Sequence, residues 1–144
     1  DKIFESARIA PSAKNLQDWR FVAVSNNELK KQVAQAAYKQ LWLADAGAII
    51  IACTNTQYVM RCGIPAGIVD VSIALEHIAL AAHAQGLATC WIGSFEPEEI
   101  KKILGIPDDI TVVELMALGY PAAKPARTPR IQLNEIVCFE KWGF

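Results

Sequence analysis

Apolar residues recur along the chain with two periods, and short polar stretches separate them. Ile3, Phe4 and Ala7 share one face at helical spacing, which predicts a helix over 1–10, broken by Pro11 and Ser12. Residues 11–19 read as a polar loop with a single tryptophan, and Arg20 to Val24 as a short strand. Ser25 and Glu28 form the S-x-x-E pattern that opens a helix, here over about 27–37. Residues 38–44 follow neither period cleanly and read as a turn of helix. Gly47 to Cys53, with three consecutive isoleucines, predicts a buried strand. Residues 54–66 hold Asn55, Gly63 and Pro65 and predict a loop.

The longest predicted helix runs from about Gly67 to Gln85 and ends at Gly86. It is apolar on most faces, so it is expected to be buried all round, partly against a second subunit. Replacing Ile73 and Ile78 by Glu is expected to separate the subunits. Leu87 to Ile92 predicts another strand. Ser94, Pro97 and Glu98 open a short helix closed by Gly105, and Ile110 to Leu118 form a last buried strand. Lys124 to Arg130 is proline-rich and basic, and Ile136 to Trp142 reads as an extended arm. The expected class is α+β, with about four strands and four helices. Residues 1–144 are expected to form one domain, without repeat or linker.

Composition adds one tension. The 144 residues carry 14 Lys and Arg against 15 Asp and Glu, a formal charge of −1, and 53% are hydrophobic. Counting glycine in place of tyrosine gives roughly 56%, against ~45–50% in ordinary soluble domains. That excludes disorder, and the charge balance argues against a nucleic-acid binder. The apolar surplus calls for a subunit interface or a large organic cofactor. No run of 18 uncharged apolar residues is present, so no membrane span is expected, and Asp1 to Glu5 does not open a signal peptide. The pattern begins inside a helix without an initiator Met, so residues are expected upstream. Cys53, Cys62, Cys90 and Cys138 form no CxxC pair. They read as buried, reduced thiols of a cytoplasmic protein. His77 and His83 lie roughly 240° apart on a helix and cannot share a metal, so no metal site is expected.

Recognised catalytic motifs are absent, and no catalytic side chain is assigned. An enzyme with so few candidate acids, bases and nucleophiles would borrow its chemistry from a cofactor. Three segments suit one. Pro11-Ser12-Ala13-Lys14-Asn15-Leu16-Gln17 gathers a hydroxyl, a cation and two amides, groups able to pair with a heteroaromatic edge. Trp91-Ile92-Gly93-Ser94 joins a strand to a helix, where a glycine and free N–H groups admit a planar ligand. Lys124, Arg127 and Arg130 could neutralise a phosphate. Each also has an ordinary explanation: a helix-ending turn, a capped helix start and a solvated tail.

Three stretches together resemble the FMN-dependent nitroreductase family: ARIAPSAKNLQDWRFVAV (7–24), VDVSIALEHIALAAHAQGLATCWIGSF (69–95) and LGIPDDITVVELMALGYPAAKPARTPRIQLNEIV (104–137). The resemblance implies a nitroreductase-like α+β sandwich, with a mostly antiparallel sheet flanked by helices. It implies an intertwined homodimer with FMN at the subunit interface. It implies that Pro11, Ser12, Ala13 and Asn15 line the FMN of the partner subunit. Trp91, Ile92, Gly93 and Ser94 would pass the isoalloxazine, with an N–H of Gly93 or Ser94 facing N5. Arg130, with Arg127 or Lys124, would meet the phosphate, and Gln40 the pyrimidine edge. The activity implied is hydride transfer from NAD(P)H through FMN to a nitroaromatic, quinone or similar small acceptor. A flavin-storage module without turnover and dehalogenase-type flavin chemistry are the alternatives. Two departures stand out. The family's Arg-Arg-Ser-x-Arg segment is not in this sequence, and Asp18 follows Gln17 where the family commonly has proline.

Overall fold

In the computed structural model, residues 1–123 and 126–144 are described. The elements are α1 (Lys2–Arg8), β1 (Trp19–Val24), α2 (Asn27–Ala36), β2 (Ala48–Thr54), α3 (Ala66–Ala84), β3 (Ala88–Ile92), α4 (Pro97–Leu104) and β4 (Thr111–Gly119). Short 3₁₀ turns cover Ala13–Asn15, Leu41–Asp45 and Leu133–Glu135. The strands form one antiparallel sheet in the order β1-β2-β4-β3.

β2 lies inside the sheet and is buried on both faces, which explains its unbroken apolar run. Ile49, Ile51 and Cys53 pack toward α2 and α4, while Ile50 and Ala52 pack toward α1 and α3. The result is a sandwich with helices on both sides. A register shift at Ala52/Cys53 interrupts the β2–β4 ladder, and Val112 and Leu115, three apart, share the α2/α4 side.

Several expectations are corrected. Asn26, not Ser25, caps α2, accepting from the Glu28 and Leu29 N–H groups; its position one residue nearer the helix lets its oxygen reach both donors. Glu96, not Ser94, stands at the start of α4, with Pro97 in the first turn, where a missing N–H is harmless. α3 is not buried all round in the single chain. Gly67, Asp70, Val71, Ala74, Leu75, Ile78 and Ala82 face the interior, whereas Ile68 and Leu80 are exposed. By length and composition α3 could cross a membrane, but this inner stripe packs it onto the sheet. Ile78 is fully buried in the chain's own core, so Ile78→Glu would break the fold before it reported on an interface. Among the cysteines only Cys53 is buried; Cys62 and Cys90 are exposed and Cys138 is intermediate. Cys90 sits on the edge strand β3, which leaves it uncovered. Residues 136–142 form no strand and follow the 3₁₀ turn irregularly.

Candidate functional site

The register places Trp19 opposite Thr54 and Thr54 opposite Thr111, with Ile92 opposite Leu115. The start of β1 and the end of β3 therefore lie at the same end of the sheet, on opposite edges. Three strand spacings, roughly 14 Å, separate them. Loop 11–17 leads into the first of these positions, and Gly93-Ser94 leaves the second. In one chain the two segments share an end of the sheet without meeting edge to edge.

Loop 11–17 is tightly specified. Ser12 is extended, at φ −143° and ψ 156°, and a single 3₁₀ turn follows. Lys14, Asn15 and Gln17 have φ of 52°, 57° and 55°. Each left-handed non-glycine residue costs roughly 1–2 kcal/mol, so the turn needs outside support. The Asn15 N–H donates to the Ser12 carbonyl at 3.0 Å, and the Gln17 N–H to the Ser12 Oγ at 3.0 Å. The Ala13 N–H donates to both carboxylate oxygens of Asp70 on α3, at 3.1 Å each. The Lys14 ammonium lies 4.3 Å from the Tyr58 ring centre, a cation–π contact. The Asn15 side chain is exposed and makes no hydrogen bond among the described residues. Pro11 is exposed, and Ala13 is half-buried.

At the other edge, the structure brings Gln40 and Ser94 together. After α2, Tyr38 and Lys39 turn through φ of 51° and 62°. This aims the Gln40 amide back, where its Nε2 donates to the Ala37 and Ser94 carbonyls at 2.9 Å each. The Glu96 N–H donates to the Ala36 carbonyl at 2.8 Å. The end of α2 is thus fastened to the corner between β3 and α4. Among the described residues, five of the six left-handed non-glycine residues lie at 14–17 and 38–39, beside the predicted contacts.

In the 91–94 segment, Trp91 is 39% exposed, Ile92 is buried, and Gly93 and Ser94 are exposed. A Cβ on Gly93 would stand 3.3 Å from a Glu114 carboxylate oxygen, closer than most side chains tolerate. Glu114 is half-buried on β4, and burial pushes its carboxyl above the usual carboxylate range. Arg127 and Arg130, with Ala126 and Thr128, line an open concavity of about 740 Å³. The Arg130 guanidinium donates to the Thr128 Oγ1 and carbonyl and to the Pro129 carbonyl, all within its own segment. Lys124 lies outside the described residues.

Sequence reasoning missed Asp70 and Glu114. Glu114 is the one acid in β4, and Asp70 stands between two valines on α3; an acid among apolar neighbours was the available signal. Among the described residues no three His, Cys, Asp or Glu side chains gather as a metal site. His77 instead ties α3 to α1: its Nδ1 lies 3.1 Å from the Ser6 carbonyl, and its own carbonyl accepts from the Ser6 hydroxyl.

The sequence model of the Nitroreductase family matches residues 1–61 and 37–120. The chain is 34% identical over 125 residues to an Archaeoglobus fulgidus protein provisionally named NADH dehydrogenase/NAD(P)H nitroreductase, covering 84% of this chain and 71% of that one. It is 28% identical over 149 residues to an FMN reductase [NAD(P)H] of Bacillus subtilis, covering 91% and 60%. Its fold matches the NADPH:FMN oxidoreductase of Vibrio harveyi, solved with NAD+, at a TM-score of 0.87 and 25% identity, covering 98% of this chain and 66% of that one.

Proposed function

The chain belongs to the nitroreductase family, and from that premise we propose that it is an FMN-dependent NAD(P)H oxidoreductase acting on a nitroaromatic, quinone or similar small acceptor. The observation that carries the reading is the loop 12–17. It is held in a left-handed turn, and it keeps an unspent Asn15 amide at the end of the sheet where the β3–α4 corner opens.

The residues present fit FMN by their chemistry. Ser12 Oγ accepts from Gln17 and keeps its own proton to donate. The Asn15 amide offers both a donor and an acceptor. Gln40 spends Nε2 on two carbonyls, which leaves Oε1 to accept from a pyrimidine edge. Gly93 and Ser94 leave exposed backbone beside Trp91 and Ile92 for a flat ring. Arg127 and Arg130 supply two cations for a phosphate. FMN, when bound, supplies two-electron transfer between a nicotinamide and the acceptor.

The chain's own part is binding, orientation and electrostatics. An N–H at Gly93 or Ser94 would donate to the ring, and Arg127 and Arg130 would hold the phosphate. With one stacking site for nicotinamide and acceptor, NAD(P)+ would leave before the acceptor binds. Solvent supplies the protons the reduced acceptor takes up, so no side chain is required as an acid. The working unit is a cytoplasmic homodimer in which loop 11–17 of one subunit meets the corner at 91–94 of the other. Exposed Ile68 and Leu80 on α3, and Tyr120, Phe139 and Trp142 beyond the sheet, support that reading.

Protein loaded with excess FMN should show an oxidised flavin spectrum and oxidise NADH or NADPH when a quinone or nitroaromatic is added. Binding without turnover on any such acceptor would leave a flavin-storage module instead. Neither binding nor turnover would end the proposal. Ile68→Glu with Leu80→Glu should yield a folded monomer that has lost its flavin, by sedimentation and absorbance. Flavin retained on that monomer would refute the shared site.

A further inference from the structure

Asp70 is 3% exposed, on the inward stripe of α3 between apolar neighbours. Both of its oxygens accept from one donor, the Ala13 N–H, 57 positions away in sequence. Among the described residues no lysine, arginine or histidine side chain bonds it. A carboxylate placed there is costly unless the arrangement it fixes is needed. What it fixes is the turn at 13–17, where Lys14, Asn15 and Gln17 are all left-handed. The other backbone hydrogen bonds of this turn run within residues 12–17, so they travel with the turn and do not anchor it. Its remaining polar contacts reach the exposed Arg20 and the half-buried Tyr58. Among the described residues, only Asp70 ties the turn to the interior by a hydrogen bond.

We propose that Asp70 is the positioning residue of the cofactor site. Its carboxylate keeps the strained turn in the one shape that presents Ser12 and Asn15, so that the loop is formed before the ligand arrives. The proposal rests on reading residues 11–15 as a flavin contact. Released from Asp70, the turn relaxes toward unstrained shapes, and affinity falls by the fraction of time it stays competent.

The test uses flavin-free full-length protein, with amide hydrogen exchange and FMN titration on Asp70→Asn, Asn15→Ala and the double variant. Asp70→Asn should speed exchange at residues 12–17, leave the rest of α3 protected, and weaken FMN by about tenfold. In the Asn15→Ala background it should weaken FMN by less than about twofold more, because both changes act through one loop. Unchanged affinity in folded Asp70→Asn, or losses that simply multiply in the double variant, overturns the positioning role. Unchanged affinity in Asn15→Ala instead overturns the flavin reading of the loop, while the exchange data still report whether Asp70 holds it. If Asp70→Asn does not fold, Asp70→Ser takes its place, with the same measurements and the same expected and overturning results.

Discussion

Loop 12–17 and segment 126–130 carry polar groups proposed for opposite ends of one ligand, yet among the described residues only the loop is bonded into the body of the chain. The loop is strained, internally hydrogen-bonded and fastened to a buried carboxylate on α3. Segment 126–130 is exposed, and among the described residues Arg130 bonds only to Thr128 and Pro129. One site half is formed by the chain's interior. The other, under the proposed function, would take its shape from the phosphate or second subunit it meets. Changes in the loop should therefore register in stability and in binding together, and changes in the tail in binding or assembly alone.

The largest effect is expected from Arg127→Ala with Arg130→Ala. Loss of charge-assisted phosphate contacts at ~1.5–3 kcal/mol apiece should weaken FMN by roughly 10²- to 10⁴-fold for the pair. The thermal midpoint of the flavin-free protein should not move; a lower midpoint would show that the tail supports the core after all. Next, Phe139→Ala with Trp142→Ala removes two side chains that are each 85% exposed in the single chain. Sedimentation equilibrium should show weaker self-association by several kcal/mol, because buried interface aromatics cost about 2 kcal/mol or more each. Urea unfolding extrapolated to the monomer should be unchanged.

Ser12→Ala tests the other side of the contrast. It removes the acceptor of the Gln17 N–H and should cost about 1 kcal/mol of stability in flavin-free protein. FMN affinity should fall alongside it. A loss of affinity with full stability would mean that the hydroxyl serves only the ligand. The smallest effect concerns Glu114, whose carboxyl is raised by burial from an ordinary value of 4.5. The folded chain then holds this proton more tightly than the unfolded chain. Stability from this group declines as pH rises past 4.5 and is level once the folded carboxyl has ionised. Glu114→Gln should flatten that decline in a pH series of thermal midpoints. An unaltered pH series would show that water already reaches the carboxylate.

The elements were legible because their periods are clean. Predicted bounds for the longest helix, 67–85, and for the 87–92 strand fall within a residue of those observed. Pairing order and the two-faced core followed less directly, since sequence alternation marks a buried strand without naming its neighbours. The family was readable from three stretches in order. Two things escaped. Periodicity treats every apolar residue of α3 alike, so it could not tell the inward Ile78 from the outward Leu80; only the docking direction does. Caps slipped by one or two residues, because Ser25 and Asn26, or Ser94 and Glu96, compete for the same role and local geometry decides. Within the candidate site, Gln40 and Ser94 were named separately, and their hydrogen bond spans 54 positions that no local pattern links. Asp70 was missed because its partner is a backbone N–H, which leaves no mark in the sequence.

The bond between Ala13 and Asp70 also sets an order of events during folding. β1 and β2 pair across the intervening α2, but the loop before β1 gains its anchor only when α3, later still in the chain and 57 positions from Ala13 at Asp70, docks across the sheet. Such distant contacts close late, after their loop entropy has been met by other contacts. A partly folded chain with β1 and β2 paired but α3 undocked would thus have Ser12 and Asn15 in hand and no fixed arrangement of them. Acquisition of flavin would then mark completion of the fold, and unfinished copies would be left colourless and distinguishable.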